Sequence, residues 1–278
     1  MGPYPCRSRF EQAKQGKPLA ARSSVSSGDI FRAVRSGMAE AFARLRGLSI
    51  IGFSIYLAFE AAEAYVGPDD TLLSNVLDGI RDVLLVPFDI AIYRLLILGE
   101  VTSRYSFALD TSSRFQRIAG WTIGLWAFIT LPLHALSLPT PSDPAQAIAV
   151  VIACIAAIAA GIAVTVRIAL LFPAIASDAR GATIGSALAD TSGRFWLILK
   201  ALVIAFLPLA MAAIGMVGLA SLGVISDVSD FSSWSALPHI ALIATAGFLT
   251  HTAGTVVASL LFDWIGDRVK GAPSSAAG

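Results

Sequence analysis

The chain has 278 residues, of which 56% are apolar and only 14% are Asp, Glu, Lys or Arg, with a formal net charge of +1. Soluble domains average about 45–50% apolar and about 25% charged residues, so this composition departs from theirs in the direction that contact with lipid requires. It excludes a disordered chain, a nucleic-acid-binding domain with a basic face and most water-soluble enzymes, and it predicts an integral membrane protein.

The N-terminal residues 1–26 differ in composition from the rest of the chain. Gly, Pro, Ser, Gln and five basic residues crowd this stretch without a helical period, which predicts a disordered cytoplasmic tail near anionic lipid. No short apolar core with a cleavage site follows it, so a signal peptide is not expected. Residues 271–278 are predicted to form a flexible C-terminal tail, which leaves residues 27–270 as the membrane domain.

The stretch Ser26–Arg46 has the pattern of an amphipathic helix. Its apolar side chains recur at helical spacing between arginines, and Ser26 with Asp29 resembles a capping box. Such a helix is expected to lie in the membrane interface with its apolar face at the acyl boundary, where it would act as an elbow before the first span.

Six stretches are long enough to cross roughly 30 Å of hydrocarbon, which takes about 20 predominantly apolar residues. They are Leu48–Val66, Val83–Val101, Ile118–Leu138, Ala147–Ala176, Trp196–Ile225 and Leu237–Ile265. The fourth and fifth are long, and Pro173 and Pro208 predict a kink in each of them. We therefore expect an all-α polytopic bundle of six transmembrane helices.

The basic and acidic residues are distributed unevenly among the predicted loops. Nine Lys or Arg residues precede the first span and seven lie in the other loops of the same side, whereas the opposite loops contain Arg81 alone. Those opposite loops carry seven acids, namely Asp69, Asp70, Asp78, Asp82, Asp143, Asp227 and Asp230. Lys and Arg are retained on the cytoplasmic side during insertion, so both termini are predicted to be cytoplasmic, in a bacterial inner membrane.

An internal repeat links the two halves of the chain. The hexapeptide Asp110–Phe115 recurs with five identities as Asp190–Phe195, and each copy directly precedes a predicted span. The amphipathic stretch Ser26–Arg46 occupies the same place before the first span. We therefore expect three repeats, each made of an amphipathic elbow helix, an outward span and a return span.

Three runs in the second half of the chain carry a resemblance to a known family. They are RIALLFPA from Arg167, SALA from Ser186 and TSGRFW from Thr191. This pattern resembles a loose group of bacterial multi-span proteins that includes stand-alone relatives of the membrane domain of glycerophosphoryl diester phosphodiesterase. The phosphodiesterases of that group carry their chemistry in a separate soluble barrel. This chain has no soluble stretch long enough for one, so the resemblance does not imply phosphodiesterase activity.

Five ionisable residues inside the predicted spans form the candidate functional cluster. Glu60 and Glu63 share a face near the outer end of the first span, Asp89 lies about 9 Å inside the second, Arg94 lies deeper, and Arg167 belongs to the fourth. Because an isolated ion at such depth is costly, Arg94 is expected to pair with Asp89 or with a glutamate of the neighbouring helix.

Two interpretations of this cluster stay open. The functional one is a proton or cation relay, or a polar cavity for a solute or lipid head group. In the structural alternative, the arginines extend towards the cytoplasmic interface, while the carboxylates face the outer water layer or form helix-to-helix pairs.

Metal and cofactor sites are not expected from the sequence. His134, His239 and His251 are far apart and belong to no HExxH or Cys/His cluster, and His251 is expected to form an interhelical hydrogen bond. Cys6 and Cys154 fall in the tail and in the fourth span, which makes a disulfide between them implausible.

The function favoured by these patterns is that of a non-enzymatic membrane component with an envelope or accessory role. Its expected partners are membrane lipids and a second copy or another membrane protein, and no nucleic acid. The alternative is a small-molecule or lipid transporter, which a water-filled path joining Glu60, Asp89 and Arg94 would mark. An intramembrane enzyme would need convergent acid, base or metal groups, and the sequence contains no such constellation.

Overall fold

The computed structural model describes residues 26–66, 71–107, 114–137, 144–221 and 237–271. Most of the described residues lie in α-helices, and none of them lies in a β-strand. The helices are α1 Ser27–Arg44, α2 Arg46–Val66, α3 Thr71–Leu98, α4 Arg114–Ser137, α5 Pro144–Ile168, α6 Leu171–Ala176, α7 Ile184–Thr191, α8 Phe195–Ser221 and α9 Leu237–Ile265.

The amphipathic helix α1 begins at the predicted cap. The Ser26 hydroxyl accepts a hydrogen bond from the backbone N–H of Asp29 at 3.1 Å, which satisfies one of the unpaired donors of the first turn. Its apolar residues Ile30, Val34 and Ala41 are buried against α3, α8 and α9. The expectation that this face lies at the acyl boundary is therefore wrong, because the helical bundle itself covers it.

The hairpin of α2 and α3 differs from the predicted spans mainly at its second helix. Helix α2 matches the first apolar stretch, whereas α3 begins at Thr71, twelve residues before the predicted Val83, and ends at Leu98. The early start places Arg81 and its acidic neighbours within a helix and not in a loop. Arg81 forms ion pairs there with carboxylates of α2 and of its own helix, so low hydropathy does not end the helix.

The fourth apolar stretch is interrupted just before Pro173, where a kink was expected. Helix α5 ends at Ile168 and α6 begins at Leu171, just before Pro173. Proline lacks a backbone N–H, and its ring crowds the carbonyl four residues earlier, which is that of Ala169 at the break.

Helix α5 packs closely on α4, since a Cβ on Gly161 would lie 2.9 Å from the side chain of Ile129. The lack of a side chain on Gly161 thus allows the two helices to approach closely.

Helix α9 is the centre of the bundle and has the predicted bounds. It contacts α2, α3 and α8, and nearly every side chain between Thr252 and Phe262 is buried. Helix α7 precedes α8 at a bend of 89°. Helix α9 is thus packed against helices from both halves of the chain, while α5 lies at the periphery with exposed apolar side chains.

Three helical stretches in the described ranges are long and apolar enough to cross a membrane, namely Arg46–Val66, Ala145–Ala176 and Leu237–Ile265. The bent pair of α7 and α8 would make a fourth. The chain is thus an all-helical bundle with membrane-spanning capacity, while the six-span count and the repeats stay predictions. Between α3 and α4, described residues 99–107 form no elbow helix. The predicted tails lie almost entirely outside the described residues.

Candidate functional site

Ionisable and polar side chains of α2, α3 and α9 meet along one interhelical surface, which we call the polar seam. On α2 and α3 they recur at helical spacing, so that each helix presents one polar stripe to its neighbours. The polar seam consists of Tyr56, Glu60 and Glu63 on α2, of Ser74, Asp78, Arg81, Asp82 and Asp89 on α3, and of His251 and Thr255 on α9.

Arg81 is the centre of the outer half of the polar seam. Its guanidinium lies 3.3 Å from a carboxylate oxygen of Glu60 and 3.6 Å from one of Glu63. On its own helix it pairs with Asp78 and lies 3.8 Å from Asp82. The Arg81 side chain is only 12% exposed. Glu60 and Glu63, the predicted pair on one helix face, are thus brought together by an arginine of the next helix.

Negative charge exceeds positive charge in this outer half. Four carboxyl groups lie within 4 Å of the single Arg81 guanidinium, and the hydroxyl of Ser74 donates to Glu63 at 3.4 Å. A simple structural ion pair needs one carboxylate for each arginine. Four carboxyl groups therefore share one guanidinium, which is more acid than a simple ion pair requires.

The inner half of the polar seam is a hydrogen-bonded triad between α3 and α9. The Nε2 atom of His251 lies 2.8 Å from Oδ1 of Asp89, and the hydroxyl of Thr255 donates to the same oxygen at 2.9 Å. This contact confirms the interhelical hydrogen bond expected for His251. It also provides Asp89 with a partner other than the expected Arg94.

Tyr56 connects the two halves of the polar seam. The guanidinium carbon of Arg81 lies 4.6 Å from the centre of the Tyr56 ring, in a cation–π contact. The Tyr56 ring also contacts His251, and the two ring centres are 6.0 Å apart. The polar groups therefore form one continuous series from the Glu63 end of α2 to Asp89.

Arg94 belongs to a different cluster, which corrects the expected pairing with Asp89 or a glutamate of α2. Its Nε donates to Glu100 at 2.9 Å, and a terminal nitrogen donates to the carbonyl of Ala176 at 3.0 Å. Asp178 lies 3.5 Å away. Because α3 ends four residues after Arg94, the long side chain reaches past the helix end and finds its partners there.

Asp178 connects Arg94 to the start of α4. It has a φ of +54°, a left-handed conformation that closes the C-terminus of α6, where the N–H of Ala179 donates to the carbonyl of Ala174. Arg114 donates to its carboxylate from Nε at 2.6 Å and from a terminal nitrogen. These hydrogen bonds from Arg114, with the charge of Arg94, hold the pKa of Asp178 below its usual range.

Arg167 does not join the other four predicted residues. Its backbone carbonyl accepts a hydrogen bond from the hydroxyl of Thr191 at 3.1 Å, and in the described part of the chain no ion pair connects it to them. The second repeat copy has a structural role, since the carboxylate of Asp190 accepts the N–H groups of Arg268 and Val269. The first four residues of the other copy lie outside the described residues.

The sequence interpretation missed Arg81, Asp78 and Asp82 as site residues, because they were placed in an outer loop. A usable signal was present, since Ser74, Asp78, Asp82 and Asp89 recur at intervals of a helical turn or multiples of it. The pairing of Asp89 with His251 joins residues 162 positions apart and has no comparable local signal.

No group of three or more His, Cys, Asp or Glu side chains in the described ranges is arranged to hold a metal ion. In the outer half of the polar seam, the Arg81 guanidinium occupies the position among the carboxylates that a cation would need. Cys154 is a buried free thiol, and Cys6 lies outside the described residues.

Comparisons of the chain with protein-family models, with curated proteins and with solved structures found no match.

Proposed function

We propose that the chain is a non-enzymatic integral membrane protein of the bacterial cytoplasmic membrane, with an envelope or accessory role exerted through lipid and protein contacts. The observation that supports this role is the mutual pairing of the ionisable groups along the polar seam. Glu60 binds Arg81 across α2 and α3, and Asp89 binds His251 across α3 and α9. Groups engaged in this way hold three helices together.

The proposed topology has six spans in three repeated units, with both termini in the cytoplasm. It is supported by the helices found within all six apolar stretches and by the excess of Lys and Arg in alternate loops. The proposed kinship with the stand-alone phosphodiesterase membrane domains has only the quoted runs as support.

Labelling of single cysteines tests this topology. In a variant with Cys6→Ser and Cys154→Ala, cysteines at Asp70, Asp143 and Asp230 should react with a membrane-impermeant maleimide added to intact cells. A cysteine at Ser103 is the matched control and should react only after the cells are opened. Labelling of Ser103→Cys from outside, or protection of the three outer positions, would contradict the proposed arrangement.

A second candidate function, a small-molecule or lipid transporter, is favoured by one observation. The outer half of the polar seam holds four carboxyl groups around one arginine, which is more acid than a structural ion pair requires. Chains of Asp, Glu and His residues inside a bundle are typical of proton relays in transporters. Of the three residues expected along a transport path, Glu60 and Asp89 lie in the polar seam and Arg94 does not.

Proton flux across liposomes distinguishes the two candidates. Purified protein is reconstituted with a trapped pH-sensitive dye, and a pH gradient is imposed. An accessory component should leave the flux at the level of protein-free liposomes. A proton-coupled transporter should raise it, and Asp89→Asn should remove the increase, while the exposed control Asp263→Asn on α9 should retain it.

A further inference from the structure

A cavity of about 190 Å³ lies between the second half of α3, the segment after it and the start of α4. Its polar lining consists of Arg94, Arg104, Arg114, Thr102 and Ser106. We call this cavity the arginine pocket. It shares no residue with the polar seam, and it is smaller than the roughly 300 Å³ at which pockets for drug-sized ligands begin, so its volume suits a small ion or head group.

The arginine pocket exists because the chain turns back along α3. Gly99 adopts a φ of +73°, after which Glu100 pairs with Arg94 and the hydroxyl of Tyr105 donates to the carbonyl of Leu84 at 2.6 Å. The ten helical residues between Arg94 and Leu84 cover about 15 Å, and five extended residues cover nearly the same distance. Residues 100–105 therefore run antiparallel to α3 in an extended conformation.

The extended conformation explains the composition of the lining. Alternate residues of an extended chain point to the same side, and Thr102, Arg104 and Ser106 all line the arginine pocket, whereas Tyr105 contacts α3. Non-helical backbone at the depth of a span is tolerated where it is buried in protein or lines a water-filled cavity. The polar side of this segment is thus consistent with a hydrated site.

Positive charge exceeds negative charge around the arginine pocket. Two of its three arginines are held in position, because Asp178 lies between Arg114 and Arg94 and Glu100 binds Arg94 as well. Arg104 is exposed, and no carboxylate of the described ranges pairs with it. One guanidinium is therefore available for an anion beside two that are already oriented.

We propose that the arginine pocket binds a phosphate group. Guanidinium groups present several N–H donors in a planar fork that matches phosphate oxygens, and the hydroxyl of Thr102 adds a donor on the same side. The remaining wall is apolar, formed in part by Pro87, Ala91 and Phe115, as suits the glycerol and acyl part of a lipid. Basic pockets between spans on the cytoplasmic side are typical sites for anionic head groups.

The phosphate group has two possible sources, an anionic lipid head group or free phosphate. The proposal goes beyond the proposed function, and it holds whether the polar seam is a structural device or a proton relay. Its test therefore uses ligand binding and no transport readout, so that failure of the proposed function leaves this test interpretable.

The experiment measures binding to the full chain in nanodiscs. In the lipid arm, phosphatidylglycerol is mixed with phosphatidylcholine, and native mass spectrometry counts the retained phosphatidylglycerol. In the soluble arm, discs of phosphatidylcholine alone are titrated with radiolabelled inorganic phosphate. Arg104→Gln should weaken binding in one of the arms by about fivefold or more, since a charge-assisted hydrogen bond is lost. The matched control Arg35→Gln removes an exposed arginine of α1 and should leave binding unchanged.

Each outcome decides the proposal. A selective loss of phosphatidylglycerol supports it with a lipid source, and a selective loss of phosphate affinity supports it with a soluble source. Equal binding by Arg104→Gln and Arg35→Gln in both arms overturns it, as does a wild-type chain that binds neither probe. If Arg104→Gln fails to fold, Arg104→Lys serves as the test, because it keeps the charge, loses the planar fork and should bind with intermediate strength.

Discussion

The polar seam and the arginine pocket are two charged clusters built on the same helix with opposite excess charge. The polar seam surrounds Arg81 with four carboxyl groups. The arginine pocket is lined by three arginines, of which Arg94 and Arg114 pair with Glu100 and Asp178. The seam groups bind one another across three helices, while Arg104 in the pocket has no carboxylate partner in the described ranges. The difference separates a cluster that stabilises the bundle from one that is prepared for a ligand.

The largest expected effect is that of Arg81→Gln. Removing this guanidinium leaves four carboxyl groups facing one another in a site where the arginine side chain is 12% exposed. Breaking a buried ion network of this kind costs about 3 kcal/mol of unfolding free energy. Denaturant unfolding in mixed micelles measures the loss. An unchanged unfolding free energy would remove the distinction between the two clusters.

The next effect concerns α1, which packs against α9. A Cβ on Gly37 would lie 2.6 Å from a methyl group of Val256 on α9, so Gly37→Ala should destabilise the fold by about 2 kcal/mol. If α1 lay on lipid instead, the same change would stabilise the helix through propensity. Gly47→Ala is the control, because nothing lies within 4 Å of its added Cβ. The sign of the change in unfolding free energy caused by Gly37→Ala, measured beside Gly47→Ala, shows whether α1 packs on the bundle or lies on lipid.

A smaller effect is the coupling between Asp89 and His251. A double-mutant cycle of Asp89→Asn and His251→Gln should give a coupling energy of about 1 kcal/mol, which is typical of polar contacts between membrane helices. The control cycle combines Asp89→Asn with Asp263→Asn, twelve residues further along α9, and should be additive. Additivity in both cycles would show that the inner half of the polar seam does not join α3 to α9.

The smallest effect is a pH dependence at Asp178, beside the arginine pocket. Its folded pKa is depressed by Arg114, so its contribution is present above the unfolded value of about 4 and is lost as pH falls through the lower folded value. Asp178→Asn should cost less than about 1 kcal/mol at neutral pH, because the side chain is half-exposed. The difference in unfolding free energy between variant and wild type should vanish in acid. A difference that persists in acid would contradict this assignment.

The helices were predictable because each apolar stretch carries its own local signal. Each of the six stretches contains a helix, and the cap at Ser26 and the break before Pro173 follow from single residues whose backbone chemistry is specific. The start of α3 at Thr71 was not predicted, because a hydropathy window rejects a segment rich in Asp and Arg. Only the opposing carboxylates of α2 make that segment favourable inside the bundle.

The site was predictable as a set of residues but not as a set of pairs. The apolar stretches around them place Glu60, Glu63 and Asp89 within helices, and the cost of intramembrane charge marks them as candidate site residues. Their partners Arg81 and His251 come from a segment taken for a loop and from a helix 162 positions away. Arg94 was expected to turn inward, yet the helix end and the chain reversal after Gly99 provide nearer partners.

The most direct test of the two-cluster account compares Arg81→Gln and Arg104→Gln in the same nanodiscs, with unfolding temperature and retained phosphatidylglycerol or phosphate measured on each sample. We expect a crossed result. Arg81→Gln should lower the unfolding temperature and leave ligand retention unchanged, and Arg104→Gln should lower ligand retention and leave the unfolding temperature unchanged. Loss of the same property in both variants would contradict it.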